Sequence, residues 1–394
     1  MKIIGIVLSV VLAIIIAKAV WVYIATRNIG SFDTEKTELL QRRNYLLQKI
    51  NVEPQALIDE MPSQIGPQFQ GEWAIYSLSM LTFSLHNLAL LYPETRQESI
   101  SYMDSLISKA MSAEIRLYDK VRWYGEDPLE SLDGDNSHMS YISILAWMIS
   151  NYKDIGGNDK YDSLYHQLCE ALNRRMLASP TLNLPTYPCE YIYTPDMFVA
   201  IVALSNYAKQ NNGMYQTTVD AWLTKARTEW IDPQTGLIRS YLEEMPTTAM
   251  DSLSDTNDLP PVVGAYSALN CSYLALIDDE FAREQYRLLK KNYLQTYPIA
   301  GIKEYHNKRC WFGFNYDAGP ILLNLSPSGT AFALGAATYF GDNEIRTAFL
   351  KTAELAGTTI SYNGKKHYWL ADIALVGEAI TLAMRTMKMA HGYP

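Results

Sequence analysis

The alternation of short and long connections between helix-like segments constrains this chain more than any other feature. Apolar residues recur at helical spacing over 37–50, 68–92 and 94–118, then in the pairs 138–152 with 160–178, 196–210 with 215–230, 262–277 with 280–297, and 329–340 with 343–356. A last segment spans 368–389. Within a pair the break is short, as at Gly156-Gly157, Asn212-Gly213 and Gly341-Asp342. Between pairs it runs to roughly fifteen residues or more, rich in Pro, Tyr, Asp and Trp, and long loops in a compact domain are usually functional. Repetition at roughly 55–70 residues predicts stacked αα-hairpins. Pairing the last helix with the first closes a ring. The expected fold is therefore all-α, an (α/α)6 toroid with its long loops gathered at one end over a central cavity.

Three regions follow from this pattern: an N-terminal segment over 1–27, a helix and connector over 28–67, and a barrel over 68–394. Ile3 to Ala17 is apolar apart from Gly5 and Ser9, and after Lys18 the run resumes through Trp21 and Tyr23 to Ala25. About 23 such residues are enough for a helix to cross a bilayer. Trp21 and Tyr23 suit one interface, and Lys18 can snorkel toward it. Ala17-Lys18-Ala19 resembles a signal-peptide cleavage site, but the apolar run continues past it, which favours a retained anchor. Arg27, Lys36, Arg42 and Arg43 argue for a cytoplasmic barrel, whereas the signal-like start argues for export. The expectation is a membrane-anchored protein with its globular part on the extracytoplasmic, periplasmic side.

The net charge is −9 and no basic stripe is visible, which argues against a nucleic-acid partner. The four cysteines (Cys169, Cys189, Cys271 and Cys310) form no C-x-x-C pair, so a structural zinc site is not expected. The chain lacks G-x-S-x-G, H-E-x-x-H, a phosphate-cradling loop and a dinucleotide fingerprint. What remains is acid–base chemistry by side chains. The 28 tyrosines either pack at helix contacts or line an aromatic cavity.

The loop from Pro185 to Asp196 concentrates that chemistry. It holds Cys189, Glu190, Tyr187, Tyr191, Tyr193 and Asp196, stiffened by Pro185, Pro188 and Pro195. Cys189 is a candidate nucleophile or proton donor, against the ordinary reading of a small buried hydrophobe. Asp196 can cap the next helix and still face a cavity, since a helix N-terminus favours the carboxylate. An earlier loop offers Trp123 and Tyr124 for stacking, with Glu126, Asp135 and His138 for proton transfer. There Asp135, Asn136 and Ser137 are also helix caps, and His138 at a helix start is expected to stay neutral. The acidic stretch 239–261 reads as a solvated lid. Tyr316 and Asp317 are candidate cavity residues.

Several segments taken in order resemble one known family. They are Tyr76-Ser77-Leu78 through Leu91-Tyr92-Pro93, the Trp123 to Asn136 loop, Cys189-Glu190 ahead of a helix, Ala221-Trp222-Leu223 through Trp230-Ile231-Asp232-Pro233-Gln234-Thr235-Gly236, and Asp317-Ala318-Gly319. Together, over roughly residues 68 to 390, they resemble the linalool dehydratase-isomerase family. The resemblance implies an (α/α)6 barrel, no metal or organic cofactor, an exported enzyme, and acid–base loss or gain of water at a tertiary allylic alcohol. Cys189 matches the first of two family active-site cysteines. The second falls near Asp196, which is not a cysteine here, and Tyr76 lies near a family tyrosine. The family's acidic residue near the domain start has no clear match within 51–67.

The expected function is thus a lyase or isomerase acting on an alcohol, with Cys189 and Asp196 as the proton-transfer pair. Tyr193, His138 and Asp135 would position them, and Tyr76, Trp123, Glu126, Glu190, Tyr316 and Asp317 would contact substrate. Two other readings stay open: a carbohydrate-active enzyme on the same scaffold, and a non-catalytic membrane-tethered binding protein. The expected partners are a small molecule (a terpenoid alcohol or a sugar) and a bilayer. Self-association into a homo-oligomer is left open.

Overall fold

A computed structural model describes residues 2–62, 67–242, 260–315, 319–372 and 374–387. It is mostly helical. The first helices are α1 (Lys2–Thr26), α2 (Phe32–Ile50), α3 (Pro54–Asp59), α4 (Pro67–Leu91), α5 (Arg96–Ala110) and α6 (Ala113–Arg122). Then come α7 (Met139–Asp154), α8 (Asp162–Ala178), α9 (Thr194–Gln210), α10 (Gln216–Thr228), α11 (Gly264–Leu274), α12 (Asp279–Tyr293), α13 (Pro327–Tyr339), α14 (Asn343–Gly357) and α15 (Leu375–Arg385).

Local chemistry sets many of these boundaries. Ser112 Oγ accepts from Ile115 N at 3.3 Å and starts α6, which splits the single helix expected over 94–118. Asp278, Ser326 and Asp342 cap α12, α13 and α14 in the same way. Burial divides the helices into two kinds. In α12 the buried residues Phe281, Gln285, Tyr286, Leu289 and Tyr293 form one stripe. In α7 every residue from Met139 to Tyr152 is buried, as befits a helix enclosed by others.

The enclosed helices contact one another in closed succession: α4 with α7, α7 with α9, α9 with α11, α11 with α13, α13 with α15, and α15 with α4. Outside them lie α5 and α6, then α8, α10, α12 and α14, each against its neighbour in sequence, while α2 packs on α4 and α15. Phe69–Leu91 is long and apolar enough by length and composition to cross a membrane, but 78% of its most apolar window is buried inside the protein. It is the core of this helical assembly. The N-terminal helix α1 lies apart from the core and touches α14.

Short strands in the long connections depart from the all-helical expectation. β1 (Ile192–Tyr193) pairs with β2 (Tyr241–Leu242). Between α12 and α13, β3 (Leu294–Gln295), β4 (Gly301–Lys303), β5 (Phe312–Asn315), β6 (Gly319–Leu322) and β7 (Leu325–Ser326) form an antiparallel sheet in the order β3-β4-β7-β6-β5. β8 (Thr359–Tyr362) and β9 (Lys365–Tyr368) form a hairpin in the connection ahead of the last helix. The join between this sheet and the helices is tight at Gly264, where a Cβ would stand 1.9 Å from the Lys303 carbonyl oxygen.

A buried ionic network ties α2 to the end of the chain. Glu35 receives Arg346 Nη1 at 2.6 Å and Arg385 Nε at 2.9 Å. Glu38 receives Arg385 Nη1 at 2.9 Å and Arg42 Nε at 3.0 Å, and Arg42 Nη1 reaches Glu378 at 2.7 Å. Burial alone would raise Glu38, but Arg385 and Arg42 outweigh it and hold its carboxyl down to about 2.

Candidate active site

Four helices and one loop bring a group of carboxyls and phenols together. Glu72 and Tyr76 sit one turn apart on α4, on one face. Tyr273 of α11 brings its hydroxyl to 3.2 Å from that of Tyr76. Asp196 lies in the first turn of α9, and its Oδ2 accepts from Thr186 Oγ1 at 2.6 Å. Arg122 ends α6, with Nη1 2.9 Å from Glu190 and its guanidinium 4.2 Å from the Tyr187 ring centroid.

Hydroxyls extend the group toward α7. Tyr187 lies close enough to Glu72 to favour its ionised form. Ser140 Oγ donates to Tyr187 Oη at 3.1 Å and lies 2.9 Å from Tyr118 Oη. Tyr187, Ser140 and Tyr118 form a hydrogen-bonded run of three hydroxyls beside Glu72.

Glu72 is the unusual member. Part of its side chain stays accessible, but Oε2 is sealed from solvent and accepts no hydrogen bond. Burial first, and the negative charge of Asp196 second, push its carboxyl up to about 8. Arg122 and Tyr187 pull it down without cancelling that rise. Glu72 therefore carries a proton at neutral pH. Burial also raises Tyr76, so its phenol stays protonated and can donate. A protonated carboxyl near an ionised one, backed by neutral phenols, can give a proton to one atom and take one from another.

A second constellation stands at the start of α7. His138 is buried at a left-handed φ of 46°. Its Nδ1 lies 2.5 Å from Asp119 Oδ2, and its Nε2 lies 3.1 Å from Glu126 Oε1. Trp123 leans on the imidazole with ring centroids 5.0 Å apart. Burial raises the Asp119 carboxyl. Burial would raise Glu126 too, but hydrogen bonds from Asn136 and His138 outweigh it and hold that carboxyl low. These contacts fix the ring in one orientation two residues before Ser140, the middle hydroxyl of the run beside Glu72.

The structure thus groups Tyr76 and Asp196, and groups His138, Glu126 and Trp123. Glu190 joins the first group through Arg122. Tyr193 pairs with Tyr241 across β1 and β2, and Tyr266 completes an aromatic trio with ring centroids 5.5–6.1 Å apart. Cys189 is exposed, at a left-handed φ of 62° that few cysteines adopt, so the thiol is no buried proton donor. Asp135 is also at the surface, where its carboxylate meets Arg174 at 3.2 Å in water. Tyr316 and Asp317 lie outside the described residues. Among the described residues, no group of His, Cys, Asp and Glu is arranged to hold a metal ion.

Sequence reasoning missed Glu72, Arg122 and Tyr273 as site residues, and named Tyr187 only as a member of its loop. Glu72 lies just past the 51–67 window, and its signal was a single carboxylate inside an otherwise apolar helix. No protein-family model matches the chain, and no curated protein matches it at a significant level.

Proposed function

We propose that this chain is a membrane-anchored (α/α)6 toroid that removes water from, or adds it to, an apolar alcohol of terpenoid type by acid–base chemistry. The closed succession of helices supports the toroid. The raised carboxyl of Glu72 carries the functional reading, because it puts an acid near enough to Asp196 for that carboxylate's charge to act on it. The order of motifs resembling the linalool dehydratase-isomerase family supports the reaction class. On this reading α1 is the anchor and the barrel lies on the extracytoplasmic side.

The reaction follows from the protonation states. Glu72 donates its proton to the substrate hydroxyl, the C–O bond breaks and water leaves. Asp196 takes a proton from the adjacent carbon, and the C–H electron pair becomes the new π bond. The proton then returns from Asp196 to Glu72 through the released water, so the enzyme is unchanged. Positive charge developing on carbon is met by Asp196 and by the faces of Tyr193, Tyr241 and Tyr266. Tyr76 and Tyr273 orient the hydroxyl. In this scheme the acid is Glu72, and Cys189 stays outside it because of its exposure.

The test is alkene formation from a panel of tertiary allylic alcohols, followed by gas chromatography with the full chain. Each of Glu72→Gln and Asp196→Asn is expected to cost about 10²–10⁴ in kcat, the usual worth of one placed acid or base. Wild-type turnover should also fall as pH rises through about 8, when Glu72 loses its proton. Equal turnover in wild type and both variants would remove these residues from the chemistry.

A further inference from the structure

The anchor helix is clamped to the globular part rather than tethered by a free linker. Trp21 Nε1 donates to Glu354 Oε1 at 2.6 Å, and Lys18 Nζ donates to the Glu354 carbonyl at 3.1 Å and to Thr358 Oγ1. Glu354 lies in the last turn of α14 and Thr358 just beyond it, where the chain leaves an outer helix for the β8–β9 hairpin. That end carries the long connections. The residues of α1 ahead of Lys18 project a further ~24 Å as helix. Val10, Leu12, Ile14, Ile15 and Ile16 on that stretch are exposed. The hydrocarbon layer is about 30 Å thick, so an anchor this short leaves no spacer between Lys18 and the lipid headgroups.

A second apolar surface lies at the same end. Thr352 Oγ1 on α14 donates to the Ala300 carbonyl at 2.6 Å, which joins α14 to the sheet beside β4. From β4 the sheet continues through β7 and β6 to β5, a width of about 14 Å at the usual strand spacing. On β5, Phe312 is 76% and Phe314 57% exposed. Their cross-strand partners are Leu322, 49% exposed, and Pro320, so these side chains share one face. Trp311 adjoins them, and Lys308 and Arg309 precede them at the surface. Aromatic and aliphatic side chains flanked by cations match the interfacial zone of an anionic bilayer.

We propose that the loop-rich end of the helical assembly is seated on the bilayer, with the β5–β6 apolar face as a second lipid contact beside the anchor. Given the function proposed above, this turns the Glu72 site toward the lipid in which an apolar alcohol dissolves. The clamp at Lys18 and Trp21 holds the end in place, and the hairpin stops it pivoting about the anchor.

The test uses the full chain in vesicles of phosphatidylcholine and phosphatidylglycerol. Phe312→Cys and Leu322→Cys are made separately in a background carrying Cys189→Ser and Cys310→Ser, then labelled with an environment-sensitive fluorophore. Met214→Cys, in the α9–α10 turn at the opposite end, is the control. Nitroxide-bearing lipids should quench the labels at 312 and 322 several-fold more than the label at 214. Equal, weak quenching at all three positions overturns the proposal. So does self-quenching between labelled copies without lipid quenching, which assigns the face to a subunit contact. The readout is position and not turnover, so its failure is distinct from failure of the acid–base reading.

Discussion

Replacing Glu72 by Gln tests the electrostatics of the site without needing a substrate. In the folded protein the carboxyl is pushed from 4.5 up to about 8, so the native state keeps a proton that the unfolded chain sheds. Below pH 4.5 both states are protonated and the group costs nothing. As pH rises from 4.5 toward 8 the unfolded state gains by ionising, and native stability falls. The slope levels off above that range. Each pH unit is worth about 1.4 kcal/mol, so the penalty at pH 7 reaches ~3 kcal/mol. Gln is neutral throughout and removes this slope. It leaves only a constant offset for its own amide. Urea unfolding of the full chain, followed by tryptophan fluorescence between pH 5 and 8, measures the difference. The variant's advantage over the parent should grow by ~3 kcal/mol from acid to neutral pH, which is about 4 °C in Tm at this chain length. Parallel stability curves for parent and variant would show that Glu72 is solvated and ordinary, and the proposed acid would be lost.

Two further perturbations test the scaffold. Glu35→Gln strands the buried Arg346 guanidinium, leaves Arg385 with Glu38 alone, and should cost about 3–5 kcal/mol by denaturant unfolding, with no change in m-value. The same network predicts acid sensitivity. Glu38 is held down to about 2, so its share of the stability is present above 4.5 and is lost as pH falls toward 2, readable by circular dichroism. Gly264→Ala drives a methyl into the Lys303 carbonyl, a backbone atom fixed in β4, and should cost about 1–3 kcal/mol. An unchanged urea midpoint would show that the α11–β4 junction yields.

The helices were legible because their apolar spacing is repeated over many turns, and α7 to α10 fall close to the predicted spans. The sheet between α12 and α13 was not legible. Its strands are two to four residues long, too short to show a period of two. The β8–β9 hairpin was missed for the same reason, and the tight turn over Trp369–Asp372 made the last helix too long in prediction. Asp196 and Tyr76 were found because a loop boundary and a family resemblance drew attention to them. Glu72 was not, because its character comes first from burial that no local pattern encodes and then from Asp196, more than a hundred residues away. Cys189 illustrates the converse. Its neighbours in sequence are rich in chemistry, yet a left-handed turn leaves the thiol at the surface.

The salt-linked join between α2 and α14–α15 has a consequence for synthesis. Glu35, Glu38 and Arg42 are made more than three hundred residues before their partners Arg346, Glu378 and Arg385. Until then Glu35 lacks a counter-ion and Glu38 and Arg42 have only each other, so only the apolar face of α2 can hold it to α4. The ionic seating of α2 therefore waits on residues more than three hundred positions later, and a chain lacking 346–385 would leave Glu35 without a counter-ion.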